Sequence, residues 1–174
     1  MEQGISLLLK GLGIDAASEN YRETPARVTR LFQELLSPKQ SNWKSFSSRY
    51  RGMVLLRNHE VYGLCPHHLQ VVRMRVYIGY IPQDRAVGLS KLARAVEEHL
   101  SMPVLQEDLT DNVANSIEER LKPVGCAVVI VGKHGCMRHR GIRSKGDVIT
   151  SSLRGALFNV PAAREEFMMM IGGL

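Results

Sequence analysis

Cysteine is too scarce in this chain to hold a fold together. There are three, Cys65, Cys126 and Cys136. An odd and low count argues against a disulfide framework and for a reducing compartment. No apolar run approaches the roughly 20 residues that a membrane-spanning helix needs, so no membrane partner is expected. The start, Met1-Glu2-Gln3-Gly4, lacks the basic region and cleavage site of a secretory signal, which makes the cytoplasm the expected location. No internal repeat or low-complexity tract is present. A Lys/Arg block of about five or six residues, the mark of a basic tail, is also missing. Basic residues are not interleaved with aromatics, so a nucleic-acid partner would rest on net charge alone and is not expected.

What is present fits one soluble domain with a helical arm. The chain has 174 residues, 44% of them apolar, which is ordinary for a globular protein. Net charge is +6 with a pI near 9.5. A basic balance points to an anionic partner such as a phosphorylated small molecule, without choosing among anions.

Periodicity gives the elements. Ile5, Leu8, Leu9 and Leu12 recur at helical spacing and stop at Gly11 and Gly13. A second helix is expected to open at Thr24-Pro25, with Thr24 as cap and Pro25 in the first turn. Val28, Leu31, Phe32 and Leu35 give it one apolar face. The polar, Ser-rich stretch 37–51 reads as a loop or linker. Strands are expected over 53–64 and 69–81, the latter with Val72, Met74, Val76 and Ile78 on one face and Arg73, Arg75 and Tyr77 on the other. Two helical stripes follow, Leu89 to Leu100 and Leu109 to Leu121, separated by Met102-Pro103. Further strands are expected over 124–133 and 147–158, and a last helix from Pro161. The order gives an α+β fold: an antiparallel four-stranded sheet with two helices between its second and third strands. The arm and linker take residues 1–50 and the α+β domain residues 51–174. A sheet of this kind has open edges that must be covered or paired, and closure into an oligomeric barrel is one solution.

Two short segments about seventy residues apart carry the chemistry: Cys65-Pro66-His67-His68 and His134-Gly135-Cys136. Zinc favours thiolate and imidazole, and catalytic sites keep three protein ligands with a fourth position open. Cys65 and His68 are spaced for one tight turn, and Cys136 can supply a distant third ligand. His67 and His134 then remain for proton transfer. A structural Cys2His2 site, with His134 or His67 as fourth ligand, is the alternative. Cys126 lies in an apolar run and reads as core. His59, His99 and His139 read as surface. Ser90-Lys91-Leu92-Ala93-Arg94 places Ser90 as a helix cap, with Lys91 and Arg94 on one face. Arg27 and Arg30 repeat that spacing, and Arg138, Arg140, Arg143 and Lys145 follow Cys136. Each alone is most simply a solvated charge, but their placement argues for phosphate. Gln106 and Glu107 open the Leu109 helix, as dipole partners or as acceptors for a guanine-type edge.

These segments together resemble GTP cyclohydrolase I. The likeness runs from about Thr24 to Ile171. It is carried by Thr24-Pro25-Ala26-Arg27-Val28, Cys65-x-His67-His68, Tyr80-Ile81-Pro82, Gly88-Leu89-Ser90-Lys91-Leu92-Ala93-Arg94, Val104 to Thr110, His134-x-Cys136-Met137, Arg140-Gly141 and Thr150-Ser151. The resemblance implies the tunnelling fold, with sheets of several subunits closing into a barrel, and a homo-oligomeric ring, typically a decamer. It implies hydrolysis of GTP to 7,8-dihydroneopterin triphosphate and formate, through zinc-hydroxide attack on C8, at the head of a pterin, folate or deazapurine pathway. By position, Cys65, His68 and Cys136 match the Zn2+ ligands, His134 the main acid–base histidine and His67 a second histidine in the pocket. Glu107, supported by Gln106, matches the guanine anchor. Arg27, Ser90, Lys91, Arg94 and Arg140 match the triphosphate contacts, and Arg30 keeps the charge where many relatives carry Lys.

The chain also departs from the family pattern. Pro66 stands where the family usually has Glu, and removes a carboxylate and a backbone donor. Gly63 replaces a common Ser, and Arg138-His139 is an extra basic pair. Pro66 leaves one alternative, a tunnelling-fold purine nucleotide hydrolase that stops at a ring-opened intermediate; a non-catalytic, zinc-stabilised paralogue is another, against which the intact His134 and the surplus His67 argue.

Overall fold

A computed structural model describes residues 1–37 and 42–172 of the chain. It forms two compact units, Met1–Ser37 and Pro38–Leu174. Of the stretch expected as a linker, residues 38–41 lie outside the described residues. Among the described residues no helix is long and apolar enough to cross a membrane.

The first unit is a pair of packed helices, α1 (Glu2–Gly11) and α2 (Thr24–Leu36). Leu9 of α1 is buried, as are Pro25 and Thr29 of α2. Pro25 sits in the first turn of α2, where its missing N–H is no loss. The cap is Glu23, one residue earlier than expected. Glu23 also holds the Arg27 guanidinium at 2.6 Å, an exposed pair one helical turn apart.

The second unit is built on a four-stranded antiparallel sheet in the order β2–β3–β5–β6. Its strands are β2 (Val54–Leu64), β3 (Val71–Ile81), β5 (Gly125–His134) and β6 (Val148–Gly155). Helices α3 (Leu89–Glu98) and α4 (Gln106–Leu121) fall between β3 and β5. The α+β expectation is therefore met. Sequence periodicity did not give the short strands β1 (Ser45–Ser47) and β4 (Arg85–Val87), which pair with each other. It also did not give the one-turn helices α5 (Gly135–Arg138) and α6 (Ala156–Asn159); the latter ends β6 earlier than expected.

Strand alternation sorts the core into two layers. Met74, Val76, Ile78 and Tyr80 of β3, with Cys126, Val128 and Ile130 of β5, face α3 and α4. Leu92, Ala95 and Val96 of α3 and Leu109, Val113, Ile117 and Leu121 of α4 cover them at helical spacing. On the other face, Tyr77, Ala127, Val129 and Val131 meet Phe167 and Ile171 of α7 (Pro161–Ile171). Strand β5 is thus buried on both faces, which explains its unbroken apolar run.

Two local expectations are corrected. Gly88, not Ser90, caps α3, and Ser90 lies exposed in its first turn without a capping hydrogen bond. His99 is not a surface residue. It ends α3 partly buried, with Nε2 2.8 Å from Ser116 Oγ on α4. Burial holds its imidazole below the ordinary histidine range; the Glu98 charge opposes this and the Arg120 charge adds to it.

A pH dependence follows. Because the folded pKa is depressed, the unfolded chain takes up this proton first. The stability is present above the unfolded value near ~6.5 and is lost as pH falls from there toward the folded value. Replacing His99→Gln keeps a donor for Ser116 and removes the titration. Urea unfolding at fixed zinc and protein concentration, from about pH 7 to about pH 5, is expected to show a shallower loss of stability in the variant. Equal slopes would mean that His99 contributes nothing.

Candidate metal centre and active site

Sheet register brings the two sequence segments together. Leu64 of β2 pairs with Val71 of β3, and the next β3 residue, Val72, pairs with His134 of β5. The end of β2, the start of β3 and the end of β5 therefore share one edge. Residues 65–70 turn the chain between β2 and β3. Cys65 N–H donates to Gln70 O at 2.9 Å, and Leu69 N–H donates to Cys65 O at 2.9 Å. Leu69 closes this helical turn in the left-handed region, with φ 51. Pro66 occupies the turn's first position, where no N–H is needed and a fixed φ suits the geometry.

The turn presents three side chains. Cys65 Sγ lies 3.8 Å from His68 Nδ1 and 4.0 Å from His67 Nδ1. Cys136 arrives from α5, directly after β5. Glycine at 135 permits this approach, because a Cβ there would stand 3.0 Å from Val71 O. Cys65, His68 and Cys136 are the one group of potential ligands that clusters among the described residues, with ligand atoms within 4.8 Å of one another. Tetrahedral zinc, at about 2.3 Å from sulfur and about 2.0 Å from nitrogen, spaces its ligands by roughly 3.5 Å. The three residues therefore fit such an ion after a small contraction. Cys65 is buried, Cys136 half-buried and His68 exposed.

The thiols favour a cation between them. Burial pushes the Cys136 thiol up, and the Cys65 thiol beside it pushes it further. Two thiolates this close need a positive charge to be stable together. Arg140 meets His68 Nε2 in a hydrogen bond. Arginine can only donate, so Nε2 accepts. With a metal at Nδ1, Nε2 would carry the ring proton and could no longer accept from Arg140.

His134 stands apart from the cluster. Its Nε2 lies 2.8 Å from Gln106 Oε1, at the first residue of α4. Burial lowers its pKa, and the Glu107 charge partly restores it. Glu107 itself is exposed, while Gln106 is 3% exposed with its amide turned inward. Ser90 and Arg94 are exposed on α3 and Lys91 is partly covered. No hydrogen bond or ion pair among the described residues ties these three to the Cys–His cluster. Arg27 and Arg30 belong to the other compact unit. His67 and His139 are exposed. Arg138 is committed to Asp147 at 3.0 Å and to Lys145 O at 2.8 Å, so it braces the 139–147 loop. Sequence reasoning missed Thr110, Thr150 and Gly132, which surround the Gln106 amide. The i, i+4 spacing of Gln106 and Thr110 was the available signal.

A family model described as GTP cyclohydrolase I matches residues 1–172. GTP cyclohydrolase 1 of Aquifex aeolicus (strain VF5) is 38% identical over 177 residues, 100% of this chain and 96% of that protein. GTP cyclohydrolase 1 of Dehalococcoides mccartyi (strain CBDB1) is 40% identical over 179 residues, 98% of this chain and 95% of that one. Among solved structures, the archaeosine synthase QueF-Like superposes with a TM-score of 0.44 at 17% identity, over 60% of this chain and 95% of that one. Dihydroneopterin aldolase from Burkholderia thailendensis gives a TM-score of 0.41 at 19% identity, over 69% and 97%.

The cluster sets an outcome for metal analysis. Cys136→Ala is expected to abolish stoichiometric zinc measured by elemental analysis, and retention of one zinc per chain would refute the ligand set. Pro66→Ala is expected to leave zinc unchanged and to lower unfolding stability by about 0.4–1 kcal/mol through the freer unfolded turn.

Proposed function

The chain belongs to the GTP cyclohydrolase I family, and from that premise we propose that it is a zinc-dependent hydrolase of GTP. It releases C8 of the guanine as formate and yields 7,8-dihydroneopterin triphosphate. The observation that carries this reading is the Cys65–His68–Cys136 cluster with a separately held histidine, His134, at the same sheet edge.

Cys65, His68 and Cys136 would hold the zinc, which would supply an activated water near neutral pH. The remaining work falls to the chain's own side chains. Hydrolysis at C8 takes a proton from water and returns protons to the ring nitrogens as their bonds to C8 break. His134, whose pKa burial lowers and the Glu107 charge partly restores, takes and returns them. His67, exposed on the turn, is the second proton-transfer group. Glu107 accepts hydrogen bonds from the guanine edge and holds the ring in register with His134, with Gln106 directly behind it. Ser90, Lys91, Arg94 and Arg140 bind the triphosphate. Its binding energy positions the ring that reacts.

The protein acts as a homo-oligomeric ring, a decamer in our reading, in the cytoplasm. Among the described residues β2 pairs only with β3, and β6 only with β5. Two long open edges support closure of the sheet with neighbouring copies, since such edges otherwise aggregate.

The test is direct. Metal-quantified protein incubated with GTP is expected to give equimolar formate and dihydroneopterin triphosphate. A ring-opened product without pterin would establish the truncated reaction instead, and bound zinc with no turnover would establish a non-catalytic paralogue. His134→Ala is expected to lower kcat by about 10²–10⁴ with zinc still stoichiometric; loss of zinc in that variant would make His134 a ligand.

A further inference from the structure

The buried amide of Gln106 has a fixed direction, and that direction dictates the tautomer of His134. Three acceptors surround Gln106 Nε2: Ile130 O at 3.1 Å, Val148 O at 3.0 Å and Thr150 Oγ1 at 3.1 Å. The two carbonyls can only accept. The hydroxyl is oriented as well. Thr110 Oγ1 donates its one hydrogen to the backbone carbonyl of Gln106 at 2.7 Å. The 2.6 Å contact between the threonines must then use the hydrogen of Thr150. Thr150 Oγ1 is left as an acceptor for the amide. An amide turned the other way would set its oxygen against three acceptors. Oε1 therefore faces His134, and the 2.8 Å contact there needs a hydrogen on His134 Nε2.

Gly132 makes room for this contact. A Cβ at position 132 would fall inside the van der Waals envelope of Gln106 Oε1 and 3.1 Å from His134 Nε2. Residues 130, 132 and 134 alternate onto one face of β5, so the strand supplies an amide acceptor, an opening and the imidazole in succession.

We propose that Gln106 is a positioning residue that holds His134 as the Nε2–H tautomer, which leaves Nδ1 as the ring atom that takes and returns the proton. Thr110, Thr150 and Gly132 fix Gln106 in turn. The inference rests on the reading of His134 as the acid–base group, but its structural half is measurable without substrate.

The measurement is ¹⁵N NMR of the zinc-loaded protein labelled at histidine, with the His134 signals identified by their loss in His134→Asn. A protonated Nε2 with a bare Nδ1 at neutral pH is expected, and a protonated Nδ1 would overturn the proposal. Gln106→Leu is expected to give mixed tautomers and to lower kcat on GTP about tenfold, with KM within about threefold. A rise in KM at unchanged kcat would overturn the proposal, because Gln106 would then be a substrate contact. If Gln106→Leu does not fold, the wild-type tautomer decides. The expected tautomer in a protein inert toward GTP would sink the function alone, whereas turnover with Nδ1–H would sink this inference alone.

Discussion

Strand β3 pairs with two partners at once, β2 on one side and β5 on the other, and the cluster at its start exists only because both registers hold. From His59 to Leu64 the β2 pairing is unbroken, and from Val72 to Ile81 every β3 residue has a partner on β5. A slip of one residue would carry Met74, Val76, Ile78 and Tyr80 to the wrong face. Each of these side chains is 3% exposed or less, and burying one such apolar side chain is worth about 1.5–3 kcal/mol. The same slip would move Cys65 and His134 relative to each other by a full residue. Packing of the sheet against α3 and α4 therefore fixes the Cys–His cluster. The irregularity in β2, between Leu56 and His59, lies away from the site end. Asn58 takes a positive φ there, and Tyr77 Oη donates to its Oδ1 at 2.8 Å.

The three cysteines show how place decides chemistry. Cys126 lies mid-strand in β5, fully buried, and its thiol donates weakly to Ala114 O. Burial pushes its pKa up to about 12, so it stays a thiol and serves as a small apolar side chain. Cys65 and Cys136 stand just beyond strand ends, facing each other and an imidazole. Ligand capacity here belongs to chain ends and turns, where backbone ladders no longer dictate side-chain direction.

Much of this was legible in the sequence. Long apolar stripes gave the principal helices and the four long strands, because period 3.6 and period 2 survive without tertiary information. Ligand type and spacing left the grouping of Cys65, His68 and Cys136 open beside a site with His134 or His67 as fourth ligand, and the resemblance to GTP cyclohydrolase I chose the three. What stayed hidden depended on distant contacts. Three-residue strands such as Ser45–Ser47 carry no period to read. His99 looked like a helix-surface residue until α4 brought Ser116 to it. Ser90 has the composition of a cap, yet Gly88 reaches the extended backbone angles first. Gln106 reads together with Glu107, as a dipole partner or a support for a guanine anchor, because two adjacent polar residues at a helix start give no clue that one points into the core. Its acceptors, Ile130 O and Val148 O, belong to strands about 24 and 42 residues away.

The two halves of the site differ in how they are held. His134 is oriented from within, by a buried amide that two strands and a helix surround. Such a group cannot adjust, because any rotation leaves buried donors or acceptors unpaired. The Cys–His cluster grades outward from buried Cys65 to exposed His68, and its turn must hold His68 with little burial to help. Pro66 answers that need. It stands between the ligands at the position of a helical turn that requires no donor, and Leu69 closes the turn in the left-handed region. A fixed φ lowers the entropy that the free turn loses on ordering. The carboxylate that the family usually carries at this position is absent, but a carboxylate still acts on His134, from Glu107 on α4. The substitution thus exchanges an exposed charge on the turn for stiffness in the turn, and leaves Glu107 as the carboxylate whose charge reaches His134.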